Sequence, residues 1–437
     1  MTNIQDLSTM PIPDPYLIAA TDEYYAVSPS FQEKYSQPDF YKTKNDKLRI
    51  LITTFWDYPV IGGLQNYIYT LKKGLESLGH TVDVIAPNHF PKSTLIELEN
   101  RILIETKHFY MERYGCINDR IVKQNVRLTA YEMMLRGMNL EEYDIFHAQD
   151  RFTLNVLSRI NEHYKKPLIF TPHGFMTHRR IQFGQIEKDS VEEAYFLAMD
   201  KKAIHSSDHL IILCEAFRPI LKHLGLEENK MTTIYTGIDF SLENTALTMV
   251  PPQNKTVITC ISRLRPRKGH KHLLEALSLI KHELEQVEVW IVGDGEMREE
   301  LEDQANALEL DNVCFLGARS DIPELLNQTD IFILPTTSDT LPIAIIEAML
   351  AEKPIITTNC GGIPEIIKHN YSGLITEQKN VQELSDSISL LLKDSIFGKK
   401  LAQNAKAFAD QYLTSTNMVK QIEKTYLTFS MTGSEQI

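Results

Sequence analysis

Several things are scarce or missing in this sequence, and each narrows what it can be. The five cysteines stand far apart, at 116, 214, 260, 314 and 360, with no C-x-x-C pair. That spacing argues against a disulfide framework and against a thiolate zinc site, and a reducing, cytoplasmic setting is expected. No stretch approaches the ~18 consecutive apolar residues of a membrane span, so any membrane contact is expected to be peripheral. The first residues, MTNIQDLSTMPIPDP, lack the charged-then-apolar order of a secretion signal. Positive charge is also in deficit: 45 Lys and Arg stand against 58 Asp and Glu, a formal net charge of -13. A generic nucleic-acid binder carries the opposite balance, although local basic patches stay open. After its first apolar run the chain reads PVIGGLQN instead of G-x-G-x-x-G, which does not fit a nicotinamide-binding turn.

What is present is the pattern of a layered α/β protein. The 437 residues, 43% hydrophobic and 24% charged, suffice for about two to three domains. Residues 1–46 show no sustained periodicity and read as an extension whose aromatics (Tyr16, Tyr24, Tyr25, Phe31, Tyr35, Phe40, Tyr41) suit packing on a core. From Lys47 the reading changes. KLRILITT is a buried-strand run, GGLQNYIYTLKKGLESLGH enters an amphipathic helix, and TVDVIAP is the next strand. YDIFHAQD, KKPLIFTPHG, SDHLIILCE and MTTIYTGID continue the alternation up to residue 248. A second series follows the polar, proline-bearing segment near 249: VITCIS, VEVWIVGDG, NVCFLG, DIFILPT, KPIITTN and SGLIT. Continuous apolar strands alternating with helices predict parallel sheets covered on both faces. Two doubly wound domains, 47–248 and 249–415, are expected to face each other across a deep cleft, with a helix over 416–437 crossing back. Ligands are expected at the C-terminal ends of the strands.

The segment SDTLPIAIIEAML, residues 338–350, places one acid, Glu347, inside an apolar helix, and another, Asp339, just before it. A helix apolar all round is buried, and a buried carboxylate needs a partner. That partner is either a cation of the protein or a ligand, and Asp339 is either a helix cap or part of the same site. The amides that open this helix, at Ile343 and Ala344, suit an anion such as phosphate. A basic run, ISRLRPRKGH, leaves the strand VITCIS and sets Arg263 and Lys268 at its exit, where two cations suit a diphosphate.

In this order and spacing, the Gly62-Gly63 loop, TPHG, TGID at 236–239, RLRPRKG, GDG at 293–295, the pair Asp339 and Glu347, and GGIPEII at 361–367 resemble the retaining glycosyltransferases of the GT-B fold, in particular family 4, or group 1. The likeness runs from about residue 48 to 430. It implies two Rossmann-like domains, an N-terminal acceptor domain and a C-terminal domain for a nucleoside diphosphate sugar. It implies transfer of a sugar, from a UDP-sugar by preference, to an unidentified acceptor hydroxyl of a saccharide, lipid, protein or small molecule. Configuration would be retained, with the leaving diphosphate oxygen assisting deprotonation of the acceptor. The resemblance further implies that Arg263 and Lys268 hold the diphosphate and that Glu347 accepts from the ribose hydroxyls. The amides of Ile343 and Ala344 would meet phosphate oxygens, and Gly63 would let the backbone approach them. His173 and Asp339 would contact the transferred sugar, the segment from Leu316 to Arg319 would meet the base, and Asp150 would line the acceptor side. No Asp-x-Asp occurs, so no metal and no cofactor beyond the donor substrate is expected. Where the family shows Glu-Gly-Phe this chain has Asp339-Thr340-Leu341. The shorter acid implies an altered donor preference, or else a nucleotide-sugar-binding partner subunit with weak or no catalysis.

Overall fold

The computed structural model describes residues 13–28, 47–60, 62–174, 176–242 and 255–431. They divide into two compact units. The first takes the chain up to Leu213, Phe217–Ile234 and the residues from Val419 on; the second takes Cys214–Ala216 and Tyr235–Met418. The junction expected at 249 falls outside the described residues, as do Phe31, Tyr35, Phe40 and Tyr41.

The first unit is built on six strands: β1 (Arg49–Thr53), β2 (Thr81–Ile85), β3 (Ile145–Ala148), β4 (Leu168–Phe170), β5 (His209–Ile212) and β6 (Met231–Thr233). Their order is β2-β1-β3-β4-β5-β6 and every pair is parallel. Ile50 pairs with Val82 on one side and Ile145 on the other. The central strands bury residues on both faces, which is why they read as unbroken apolar runs. The order reverses between β1 and β3, so the loops leaving these two strands diverge and open a crevice at their C-terminal ends.

The second unit repeats the plan with β7 (Thr256–Ile261), β8 (Val287–Val292), β9 (Val313–Gly317), β10 (Ile331–Leu334), β11 (Ile355–Thr358) and β12 (Leu374–Thr376). The order is β12-β11-β10-β7-β8-β9, again all parallel. Its core centres on Trp290, Phe332 and the apolar helix Ile343–Leu350, whose Ile345 and Ile346 are fully buried. Here the reversal lies between β7 and β10. The loops that follow these two strands carry Arg263, Lys268 and Asp339.

Two helices outside the alternating series complete the first unit. Pro15–Tyr24, in the segment that showed no periodicity, is helical. It buries Leu17 and Ile18 and is pinned by ion pairs from Lys202 to Asp14 (2.5 Å) and from Arg113 to Asp22 (2.6 Å). The helix Ser415–Met431 reaches β3 through Tyr426. His147, fully buried, lies 2.5 Å through Nδ1 from the Tyr426 hydroxyl and 2.8 Å through Nε2 from Thr171 Oγ1. Burial pushes this imidazole down to about 3, so it is neutral at physiological pH. Among the described residues no helix is long and apolar enough to cross a membrane.

The His147 bridge makes a stability prediction. Tyr426→Phe leaves a buried ring nitrogen without its partner, a loss of about 1 to 3 kcal/mol. A lower urea midpoint at unchanged slope is expected; an unchanged midpoint would mean that the bond adds nothing to stability.

Candidate active site

On the second unit the structure brings together the loops after β7 and β10. Asp339 accepts from Lys268 Nζ at 2.7 Å, from Arg267 Nη1 at 2.6 Å and from Thr336 Oγ1 at 2.8 Å. Lys268 and Asp339 are only 12% and 11% exposed, so the pair is largely withdrawn from water and its attraction is little screened. Arg267 also donates to the Ser338 carbonyl at 2.8 Å, while its own carbonyl accepts from Thr337 N–H at 2.7 Å and from the Thr336 and Thr337 hydroxyls. Four successive residues of one loop, Thr336 to Asp339, are therefore bonded to Arg267 of the other.

Two glycines make this approach possible. A Cβ on Gly269, at φ +79, would lie 1.9 Å from the Pro335 carbonyl oxygen. One on Gly361, at φ +55, would lie 2.0 Å from the Asp339 carbonyl oxygen. Any side chain at either position would displace the 335–340 loop and its acid. The glycines of RLRPRKG and GGIPEII thus clamp the Asp339 loop from two sides.

Asp339 does not cap the following helix. Pro342 holds the cap position, and the helix runs Ile343–Leu350. Ile343 and Ala344, both partly exposed, supply its first amides. Glu347 sits a turn further on, and the structural ion pair left open for it does not form: its carboxylate has no hydrogen-bond or ion-pair partner among the described residues. Burial alone pushes it up to about 7. The two acids therefore differ in state, one held by three donors and one desolvated and unpaired. Arg263 is exposed at the exit of β7. Arg319, in the loop after β9, is engaged by Asp321 at 2.7 Å.

On the first unit, His173 follows β4 and donates through Nε2 to Gln149 Oε1 at 2.9 Å, with its ring edge-on to Tyr67 at 4.7 Å. Although partly exposed, it is desolvated enough to be pushed down to about 3 and is a neutral imidazole. The Gln149 amide nitrogen is buried without a partner. Asp150 caps the helix Arg151–Tyr164 by accepting from Thr153 N–H (2.9 Å) and also accepts from Phe55 N–H (2.7 Å). It joins the loops after β1 and β3, and burial raises its pKa. Gly63 is the exposed first residue of the helix Gly63–Ser77. His173, Asp150 and Gly63 thus lie on one unit, and Lys268, Asp339, Glu347, Arg263, Arg319, Ile343 and Ala344 on the other.

Arg267 and Gln149 were not singled out in the sequence. Arg267 stands inside the motif that yielded Arg263 and Lys268, and only its place beside Asp339 distinguishes it. Gln149 is adjacent to Asp150, and its partner lies 24 residues away.

Comparison with known proteins bears on the family and the fold. Residues 61–242 match the family described as Glycosyltransferase Family 4, and residues 249–408 the family Glycosyl transferases group 1. An uncharacterized glycosyltransferase of Methanocaldococcus jannaschii is 26% identical over 395 residues, 87% of this chain and 98% of that protein. An Escherichia coli UDP-Gal:alpha-D-GlcNAc-diphosphoundecaprenol alpha-1,3-galactosyltransferase is 26% identical, covering 71% of this chain and 80% of its own. Among solved structures, Anabaena HepE in complex with UDP-glucose superimposes with a TM-score of 0.65 at 22% identity, over 87% of this chain and all of that one. Sucrose-phosphate synthase of Thermosynechococcus elongatus gives 0.67 at 16% identity, over 87% and 99%. With two parallel six-stranded sheets, matched motifs on both units and these neighbours, the chain belongs to the GT-B glycosyltransferases of family 4 and group 1.

Proposed function

We propose that this glycosyltransferase transfers a sugar from a nucleoside diphosphate sugar, UDP-linked by preference, to an acceptor hydroxyl with retention of configuration and without a metal ion. The observation that carries the reading is the pairing of opposite acids on the second unit. Lys268 and Arg267 are already gathered and oriented by Asp339, which suits them to take up charge on a departing diphosphate, with exposed Arg263 able to join them. These cations would supply the charge that a divalent ion supplies elsewhere. Glu347 has no side-chain partner among the described residues, and the hydroxyls of a ribose would satisfy it. Ile343 and Ala344 would offer their amides to phosphate oxygens, and Gly63 would leave room for backbone beside them. Leu316 to Arg319 would meet the base. His173 would contact the transferred sugar as a neutral donor and acceptor, its ring orientation held by Gln149 and Tyr67. Preference for UDP is supported by the relatives whose names or complexes carry it.

Asp339 deepens one expectation. With three donors on its carboxylate, it acts on the donor site first by positioning Lys268 and Arg267. A longer acid at this place would reach further, and the shorter one leaves more room above the cations. Altered donor preference is the reading this supports over loss of catalysis, since the cations are retained and ordered.

Two measurements test the assignment. Lys268→Ala is expected to weaken UDP binding by tenfold or more in calorimetry, against UDP, GDP and ADP in parallel, and to abolish diphosphate release from a donor panel. Undiminished affinity would remove Lys268 from the site, and a wild-type chain that binds donors yet never releases diphosphate would make it a binding subunit. The second concerns Glu347. Its folded pKa, about 7, lies above the ordinary 4.5, so the folded state holds its proton more tightly and ionisation costs stability. That cost is absent below about pH 4.5 and complete above about pH 7. Glu347→Gln is therefore expected to match the wild type at pH 4.5 and exceed it by about 1 to 3 kcal/mol at pH 8. Hydroxyl donors favour the carboxylate, so nucleotide binding near pH 7 should release a proton, seen as a buffer-dependent binding enthalpy that Glu347→Gln lacks. Buffer-independent heats in the wild type would place the ribose elsewhere.

A further inference from the structure

The first unit carries a ladder of arginines and aromatic rings that the donor reading does not use. Arg127 lies over Phe55 at 4.8 Å, Phe55 packs on Phe152 at 5.4 Å, and Arg151 lies over Phe152 at 5.1 Å. Arg151 also faces Phe196 at 5.2 Å, and the same ring is approached by Arg120 at 5.5 Å and Arg180 at 6.0 Å. Two carboxylates bond to this group: Glu192 to Arg120 at 2.7 Å, and Asp200 to Arg151. The guanidinium groups of Arg180 and Arg127 have no hydrogen bond or ion pair among the described residues.

Arg180 is the informative one. It is partly buried, and desolvation together with the like charges of Arg151 and Arg120 pulls it down to about 10, against the weaker attraction of Asp200. A guanidinium kept among other guanidiniums, with its hydrogen-bonding fork unengaged, is short of an anion. Its helix, Met176–Gln182, is not a loose surface turn. Thr177 N–H donates to Asp200 Oδ2 at 2.8 Å, Thr177 Oγ1 donates to the Phe196 carbonyl at 3.0 Å, and Arg151 Nη1 donates to Thr177 Oγ1 at 2.5 Å.

The place matters as much as the charge. Arg151 follows Asp150 at the end of β3, and Arg180 comes seven residues after His173 at the end of β4. Both lie at the C-terminal ends of the strands, where ligands enter such sheets. In a chain of net charge -13, a cationic strip here runs against the background.

We propose that the Arg180 end of this ladder binds the phosphate or diphosphate group of the acceptor. The inference rests on the glycosyl-transfer reading and adds the acceptor's chemistry to it. A phosphoryl group accepts several hydrogen bonds at once, so it would engage the Arg180 fork beside the charges of Arg151 and Arg120 as no single neutral hydroxyl could. The same chemistry arises in a lipid diphosphate and in a soluble sugar phosphate.

The test uses the full chain saturated with UDP and titrated with inorganic pyrophosphate, farnesyl diphosphate, glucose 1-phosphate and farnesol. Arg180-dependent binding is expected for at least one phosphorylated probe and not for farnesol. Arg180→Ala is expected to weaken it tenfold or more and Arg180→Lys by less, with circular dichroism reporting that both fold. Tighter farnesyl diphosphate assigns a lipid source, and tighter glucose 1-phosphate a soluble one. Equal binding by wild type and Arg180→Ala, or no binding of any phosphorylated probe, overturns the proposal. The two readings fail separately: phosphate binding through Arg180 without donor turnover would sink the transfer reading alone, and donor turnover without such binding would sink this one alone.

Discussion

One carboxylate, Asp339, governs the second unit's site because two cations from a neighbouring loop end on it. Lys268 and Arg267 would repel each other at this separation, and Asp339 would be a nearly dry, unpaired acid without them. Lys268 and Asp339, both largely withdrawn from water, each depend on the other, and the more exposed Arg267 adds a second donor. The backbone is arranged to the same end: Gly269 and Gly361 remove the two side chains that would force the loops apart, and Thr336 fills a remaining acceptor position. A phosphate arriving here meets cations whose geometry is already fixed, so little ordering remains to be done on binding. Glu347, eight residues on in the same segment, shows the opposite state. It is desolvated without compensation, a cost that persists in the folded chain until something donates to it.

Much of this was legible because it depends on local pattern. Strands buried on both faces must be continuous apolar runs, and all six of the second series are found where VITCIS, VEVWIVGDG, NVCFLG, DIFILPT, KPIITTN and SGLIT stand. Glu347 stood out because an acid among isoleucines has few explanations, and the structure removes the structural ion pair from among them. What was not legible depends on partners distant in sequence. The helix Pro15–Tyr24 has a weak apolar face and is held by Lys202 and Arg113, which no window of sequence contains. Arg267 and Lys268 are neighbours of the same charge, and only the fold of the Asp339 loop, 71 and 72 residues away, shows that both are used. That the Asp150 oxygens are bound by the amides of Phe55 and Thr153 is likewise set by a partner 95 residues away and not by local pattern.

The two units solve different electrostatic problems on sheets of six parallel strands each. Where the second sheet's order reverses, charge is concentrated and paired. Around the end of β4 in the first sheet, the groups are polar but neutral: His147 and His173 are both too desolvated to ionise near neutrality, and they hydrogen-bond to Tyr426, Thr171 and Gln149. A neutral imidazole can donate and accept toward sugar hydroxyls without drawing a phosphate to itself.

The arginine ladder extends that division. Its cations stand on the helices Asp119–Arg136, Arg151–Tyr164 and Met176–Gln182, and stacking on Phe55, Phe152 and Phe196 orders them without neutralising them. Aromatic support costs the guanidinium little of its capacity for an anion, whereas a carboxylate partner would use that capacity up. Arg120 and Arg151 have such partners and serve as scaffold; Arg180 and Arg127 do not. In a chain of net charge -13, charge left open there would favour a ligand bearing its negative charge at a matching place.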